Sequence, residues 1–310
     1  MSTVQAFRRP DGTVGIRNHL FILPAVVCAN QVAIDVARRN PALKYIEHQH
    51  GCGQMGADLI QTQRVFTHLA QHPNVYGSIF VGLGCEGIVA KDLFARAHSQ
   101  SDKPMDLVII QQSGGTLGAE SACEEWIEAR SQEVKHQVRT ETAWDEISVG
   151  VLFDEVSGEQ AETVDAALAA LWELGVKLIL PGSQTERAAR LGQAEAIDHG
   201  EKAFSRLALM KEGSNALETL TGLTAAGAHL TVHLANRAHA FGNPVTPLVR
   251  WSISPASYRQ YRDDFDGQLQ DELDIPRLLE QLLRIVNGQE SIAEELGMDD
   301  FALYRIGPTV

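Results

Sequence analysis

The sequence predicts an α/β protein in which parallel sheets with flanking helices form two Rossmann-like halves. Short apolar runs alternate with helical patterns from residue 20 onward, and this alternation favours right-handed β-α-β crossovers. A chain of 310 residues that is 44% hydrophobic can also bury one large core or two smaller ones. We place the boundary near Trp144 and Asp145, which gives domains 1–145 and 146–310.

The order of elements follows from the same pattern. Apolar runs of four to eight residues predict the strands, and a 3.6-residue period predicts the helices between them. The expected strands are 20–27, 44–49, 76–83, 106–111, 147–153, 177–180, 229–234 and 248–253. The expected helices are 31–39, 57–70, 88–97, 120–137, 159–174, one beginning at 184, and a terminal helix over 276–296.

Charge and composition exclude several classes of partner. The formal charge of −14 disfavours nucleic acid and anionic membranes, although a local arginine can still bind an anionic substrate. No apolar run is long enough to span a membrane, and the N-terminus lacks the pattern of a secretion signal. Four cysteines without such a signal indicate a reducing compartment, so we expect a cytoplasmic protein.

Two glycine-rich loops, 51–56 and 82–87, each follow an apolar run and each contain a cysteine. Both match G-x-G-x-x-G, which is typical of a dinucleotide site. That interpretation is the weaker one, because the motif occurs twice and is absent after the first strand. A metal site is the better hypothesis, since ligands bind beyond the carboxyl ends of parallel strands.

The predicted metal ligands are Cys28, Cys52, Cys85 and His50, which follow three successive strands. Thiolate and imidazole donors suit iron or zinc better than magnesium. A cluster of three cysteines around iron and sulfur is a variant that we rank below a single ion. The alternative for each cysteine is a small buried hydrophobic residue, and we assign that role to Cys123.

Two residues beside the predicted ligands are candidates for proton transfer. Glu86 follows Cys85 directly, and His48 lies two residues before His50 on the same face of its strand. Either could remove the proton next to a substrate carboxylate. For His48 the alternative is an ordinary histidine with satisfied hydrogen bonds.

An anion site is predicted near the N-terminus and after the fourth strand. Arg17 and Asn18 offer a planar fork and an amide that suit a carboxylate. The alternative is that Arg17 braces its loop through backbone carbonyls. Ser113 and Thr116 stand at the start of a predicted helix, where free backbone N–H groups favour anions.

These motifs resemble the altronate/galactarate dehydratase family, which includes the large subunit of sulfolactate sulfo-lyase. Residues 7–18 (FRRPDGTVGIRN) resemble its opening, and the similarity continues in order through 28–30, 50–54, 72–75 and 82–86. It returns at 221–229, 300–302 and 307–310. The middle departs, because the strand near 150 lacks the cysteine of a Cys-Gly-Gly-Ser-Asp motif. His233, His239 or Glu155 could replace the lost ligand.

The resemblance implies a lyase that eliminates water or sulfite from a small hydroxy acid and yields a 2-oxo acid. It implies a divalent metal, with Fe2+ preferred over Mn2+ or Zn2+ and a [4Fe-4S] cluster less favoured, and it places Gln54 with the substrate-binding residues. A small partner subunit and a homo-oligomer are further expectations. The alternative is a catalytically degenerate paralogue that binds an acid or stabilises another subunit.

Overall fold

The computed structural model describes residues 3–156 and 158–307, so the family-like Pro308 to Val310 lie outside the described residues. Within those ranges the strands are β1 Thr3–Arg8, β2 Val14–Gly15, β3 His19–Pro24, β4 Leu43–Tyr45, β5 Val75–Gly82, β6 Met105–Ile109, β7 Thr140–Ala143, β8 Ser148–Phe153, β9 Lys177–Pro181, β10 Glu195–Ile197, β11 Leu207–Met210, β12 Leu230–Ala235, β13 Leu248–Ser252 and β14 Gly267–Gln268. The helices are α1 Asn30–Arg39, α2 Gly56–Ala70, α3 Ala90–Ser99, α4 Thr116–Lys135, α5 Gly158–Leu174, α6 Thr185–Leu191, α7 Ala216–Ala225, α8 Pro255–Gln260, α9 Ile275–Val286 and α10 Ile292–Glu295.

Two parallel sheets confirm the predicted α/β class. The first has the order β4-β3-β5-β6 and the second β10-β11-β9-β8-β12-β13-β14, and every pair within each of them is parallel. In the first sheet the chain leaves β3 and β5 in opposite directions, and in the second it leaves β8 and β12 in opposite directions. Such switch points are where open α/β sheets bind ligands.

The sequence pattern did not predict a third sheet. Strands β2, β1 and β7 form a small antiparallel sheet, in which β1 alternates exposed and buried residues. Val4 and Ala6 of β1 pack with Trp144 in the core of the second sheet. In the opposite sense, Leu303 packs in the core of the first sheet. The N-terminal segment therefore packs with the second sheet, and the C-terminal segment packs with the first.

Two predicted elements differ from the structure for local reasons. The strand expected over 44–49 ends at Tyr45, because the following backbone bonds to neighbouring loops instead of to the sheet. The helix expected over 276–296 is interrupted after Val286, where Gly288 takes a φ of +113°. A new helix, α10, then begins with a capping box between Ser291 and Glu294.

No helix within the described ranges is both long and apolar enough to cross a lipid bilayer.

Candidate functional site

Three loops meet at the carboxyl end of the first sheet, and we call residues 25–29, 46–56 and 82–89 the cysteine edge. The Val27 N–H donates to the carbonyl of His50 over 2.9 Å. The Ile88 N–H donates to the carbonyl of Gly51 over 3.0 Å. The loop after β4 is therefore hydrogen bonded to the loops after β3 and β5, which flank the switch point.

The three thiols of the cysteine edge are all exposed. Cys28, Cys52 and Cys85 are free and open to solvent, so the alternative of a small buried hydrophobic residue is wrong for each of them. Cys123 is instead fully buried in α4, where burial raises the pKa of its thiol to about 12. Only the three thiols at the sheet edge are therefore accessible to metal or substrate.

Close packing explains why Gly51 begins its loop. Its φ is +94°, and a Cβ there would lie 2.4 Å from the Ala25 carbonyl oxygen and 2.7 Å from the Val26 Cα. No other residue satisfies both the conformation and the space. This glycine therefore serves the contact between two loops.

His48 and His50 differ in what they leave free. His48 is buried, donates from Nε2 to the Pro24 carbonyl (2.7 Å) and accepts the His50 N–H at Nδ1 (3.1 Å). Burial lowers its pKa to about 4, so it is neutral at pH 7. His50 Nδ1 lies 3.1 Å from the Gln54 amide nitrogen, and no hydrogen bond within the described residues engages its Nε2. His50 therefore offers a nitrogen to a ligand, whereas His48 orients the loop.

The predicted ligands of the cysteine edge are adjacent but do not form a closed cluster. Among the described residues, no three of their ligand atoms lie within 4.8 Å of one another. The backbone of the loops is in contact while the side chains remain spread. Their role as metal ligands stays a prediction.

The other predicted residues of the first half lie in defined places. Glu86 accepts the Gly84 N–H and lines a cavity of about 170 Å³ with Gln112. Ser113 donates from its hydroxyl to the Ile109 carbonyl (2.9 Å), and Thr116 is exposed at the first residue of α4. Their catalytic and binding roles stay predictions.

Arg17 and Asn18 are engaged by the protein itself. The Arg17 guanidinium pairs with the carboxylate of Glu294 (2.7 Å) and donates to three backbone carbonyls. The Asn18 amide oxygen accepts from Arg9 (2.5 Å). These are the contacts of the bracing alternative, and they join the N-terminal segment to α10.

The second sheet carries a compact cluster of its own, which we call the Asp-His-His cluster: Asp154, His233 and His239. Asp154 follows β8, His233 belongs to β12, and His239 lies in the loop after β12. The carboxylate lies 3.2 Å from His233 Nε2 and 2.9 Å from His239 Nε2. Their ligand atoms all lie within 4.8 Å of one another, an arrangement compatible with a divalent metal.

Burial and hydrogen bonding together set the charges of this cluster. Burial lowers the pKa of His233 to about 4 in spite of its hydrogen bond to Asp154, so its imidazole is neutral at pH 7. Burial alone would raise the pKa of Asp154, but the hydrogen bonds from the two histidines outweigh it and the pKa lies well below its ordinary value. The cluster therefore holds an ionised carboxylate beside a neutral imidazole.

The sequence indicates this cluster only in part. His233 and His239 were named as replacements for a lost ligand, while Asp154 was missed and the named Glu155 is exposed and outside the cluster. The available signal was position, since Asp154 directly follows a predicted strand. Asp154 and Glu155 are adjacent carboxylates at the end of that strand, and the sequence does not show which of the two side chains turns inward.

Comparisons with known proteins match two separate parts of the chain. Residues 6–135 match the second domain of D-galactarate dehydratase/altronate hydrolase. Residues 188–309 match the C-terminal domain of D-galactarate/altronate dehydratase. The segment 136–187, which contains Asp154, lies between the two matches.

Individual relatives are lyases or dehydratases by name. The (2R)-sulfolactate sulfo-lyase subunit beta of Chromohalobacter salexigens is 24% identical over 385 aligned positions, which cover 98% of this chain and 97% of the relative. The altronate dehydratases of Escherichia coli and Bacillus subtilis are each 37% identical over 93 and 95 residues. Those two alignments cover 27% of this chain and 19% of each relative.

Proposed function

This chain belongs to the D-galactarate dehydratase/altronate hydrolase family, and we propose that it is a metal-dependent lyase acting on a small hydroxylated carboxylic acid. The names of its relatives indicate enzymes of the lyase and dehydratase type. We assign the elimination of water or sulfite, with a 2-oxo acid as product. The observation that carries this assignment is the position of three exposed thiols on loops whose backbones are hydrogen bonded to one another at a switch point.

The proposed metal ligands are His50, Cys52 and Cys85, with Cys28 as a fourth. The donor set fits a soft or borderline ion and favours Fe2+ over Mn2+ or magnesium. The exposed sulfurs and the unengaged Nε2 of His50 support this fit. When bound, a divalent ion there would supply Lewis-acid polarisation of a substrate oxygen.

Glu86 is the better of the two proposed bases, because both ring nitrogens of His48 are already bonded. Its carboxylate would take the proton from the carbon next to the substrate carboxylate. The bond from the neighbouring carbon to its hydroxyl then breaks, water leaves, and the enol product tautomerises to a 2-oxo acid. Sulfite is the leaving group in the second version of the same step.

Substrate binding is assigned to Gln54, Ser113 and Thr116. The last two stand at the N-terminus of the twenty-residue helix α4, whose free N–H groups favour a carboxylate. Arg17 and Asn18 are not part of this assignment, because the protein itself engages both side chains. Because one relative is named as a subunit, a small partner subunit and a homo-oligomer belong to the proposal.

Anaerobic purification followed by elemental analysis and a screen of hydroxy acids for 2-oxo acid formation tests this function. We expect stoichiometric metal and turnover with a sugar-type acid. The double variant Cys52→Ser/Cys85→Ser should lose turnover by about 100-fold or more, since ligand loss removes the Lewis acid. Cys123→Ser is the matched control, because that thiol is buried away from the edge.

Metal and turnover retained in the double variant would remove the cysteine edge from the mechanism. Absence of both metal and turnover in the wild-type protein would favour the alternative of a degenerate paralogue that binds an acid or stabilises another subunit.

A further inference from the structure

The Asp-His-His cluster lies on the second sheet, away from the cysteine edge to which we assign the metal of the lyase reaction. Asp154 comes from the segment 136–187, which neither family domain matches. The cluster occupies the switch point between β8 and β12, the place where an open parallel sheet binds ligands. Its residues therefore combine a binding position with side chains of ligating type.

The spacing of the cluster is that of metal ligands. Two ligands in neighbouring positions of an octahedral ion lie about 3.0 Å apart when each bond is about 2.1 Å long. The carboxylate of Asp154 lies 3.2 Å from His233 Nε2 and 3.1 and 2.9 Å from His239 Nε2. Two histidines and one carboxylate leave coordination positions open for water or an oxygen ligand.

The charge of the cluster is also compatible with a bound cation. Asp154 is largely buried and accepts from two imidazoles and the Asn236 N–H. Within the described ranges, no lysine or arginine forms an ion pair with it. The nearby Arg250 instead donates to the carbonyls of Asp264 and Phe241. A bound cation would give a direct charge partner to a carboxylate that hydrogen bonds alone now stabilise.

His233 shares an unpartnered ring nitrogen with the buried His199 and differs in this from His48 and His229. His48 and His229 each engage both ring nitrogens with backbone groups. His233 is fully buried but bonds only through the Nε2 that faces Asp154, and its Nδ1 has no partner in the described structure. An ion would bind the Nε2 that faces Asp154, and the proton of the ring would then lie on Nδ1.

We propose that Asp154, His233 and His239 form an open, three-ligand site for a divalent transition-metal ion, distinct from the cysteine edge. The ligand set suits Fe2+, Co2+ or Zn2+ better than Ca2+, because two of the three donors are imidazoles. The ion joins the loop after β8 to the loop after β12. The proposal does not depend on the lyase reaction.

Binding of Co2+ to chelator-treated protein tests the site directly. Titration should raise the melting temperature and produce the visible bands of a cobalt ion bound by nitrogen and oxygen. In the Cys52→Ser/Cys85→Ser variant these bands should persist without a sulfur-to-cobalt charge-transfer band. His239→Ala and Asp154→Asn should each weaken the nitrogen-and-oxygen site by at least about 100-fold.

The control is His98→Ala, which removes an exposed histidine from α3 and should leave the response unchanged. Both variants should fold, because His239 lies in a loop and Asp154→Asn preserves the size of the side chain. Circular dichroism checks the fold of each variant. Three outcomes overturn the proposal: no response in the wild-type protein, an unchanged response in a folded cluster variant, or loss of all cobalt bands in the cysteine double variant.

Discussion

The two sheets of this protein present their candidate sites at equivalent places but build them in opposite ways. At the cysteine edge, loop backbones are hydrogen bonded while three exposed thiols remain spread. At the Asp-His-His cluster, the side chains themselves converge to about hydrogen-bond distance and are largely buried. One edge is organised in its backbone and the other in its side chains.

This difference has a physical basis in where each ligand is attached. His233 belongs to a strand, so its position is fixed by the ladder on both sides of β12. Cys52 and Cys85 stand on glycine-rich loops and Cys28 on a short turn after β3, and the side chains of all three face solvent. Sites on regular elements are more precise than sites on loops. The strand position of His233 therefore anchors the second edge, whereas Asp154 and His239 lie in loops as the cysteines do.

The largest expected effect tests the claim that backbone packing organises the cysteine edge. Gly51→Ala places a Cβ 2.4 Å from the Ala25 carbonyl oxygen at a φ of +94°. We expect it to lower the free energy of unfolding by more than about 3 kcal/mol, because clash and backbone strain add. Urea denaturation measures this change.

Gly56→Ala is the matched control for that substitution. Gly56 also has a positive φ, +57°, but a Cβ there meets nothing within 4 Å. Only the backbone cost of about 1–2 kcal/mol should appear. Equal effects at the two positions would mean that contact between the loops does not hold the edge together.

The cysteine edge could be predicted from sequence because its signals are local. Glycines beside cysteines after apolar runs mark strand ends, and strand ends of a parallel sheet share one edge. The exposed thiols and the free nitrogen of His50 lie where that reasoning placed them. The contacts of Arg17 were not predictable, since its partner Glu294 is 277 residues away in the chain.

The Asp-His-His cluster could be predicted only in fragments. Asp154 and His233 meet because β8 pairs with β12 across 79 residues of sequence. An alternating pattern of strands and helices does not specify which strands become neighbours. The third sheet was not predicted for the same reason, because β1 and β7 pair across more than 130 residues.

The second expected effect concerns the pH dependence of stability. His229 directly precedes β12 and is a structural histidine, whereas His233 within β12 is a candidate ligand. Burial lowers the pKa of His229 to about 4, although its bond to the Val14 carbonyl opposes this. The unfolded value is about 6.5. The neutral ring therefore stabilises the fold above pH 6.5, and about 3 kcal/mol is lost as pH falls through 4.

Urea denaturation between pH 7 and pH 4 measures that loss. His229→Gln should flatten the decline in unfolding free energy, while His98→Gln on the exposed face of α3 should leave it unchanged. An unaltered slope in His229→Gln would show that burial of this ring does not govern acid stability. His229 would then no longer serve as the structural histidine with which His233 is compared.

The smallest expected effect tests whether buried support makes the second edge precise. Arg250 is buried beside His233 on the neighbouring strand and donates to the Phe241 carbonyl over 2.7 Å. The Phe241 ring packs 5.8 Å from the His233 ring and 5.2 Å from the His239 ring. Arg250 thus supports the loop that carries His239 without touching the proposed ion.

Arg250→Lys should weaken Co2+ binding at the cluster about tenfold, because a lysine cannot reproduce the planar fork that bonds the Asp264 and Phe241 carbonyls together. Arg259→Lys, on the exposed side of α8, is the matched control and should bind as the wild-type protein does. Because Arg250 lies outside the proposed ligand set, a folded Arg250→Lys variant with unchanged affinity would place the precision of the site in the strands alone. A tenfold loss would instead show that the second edge depends on side-chain packing, as the comparison of the two edges requires.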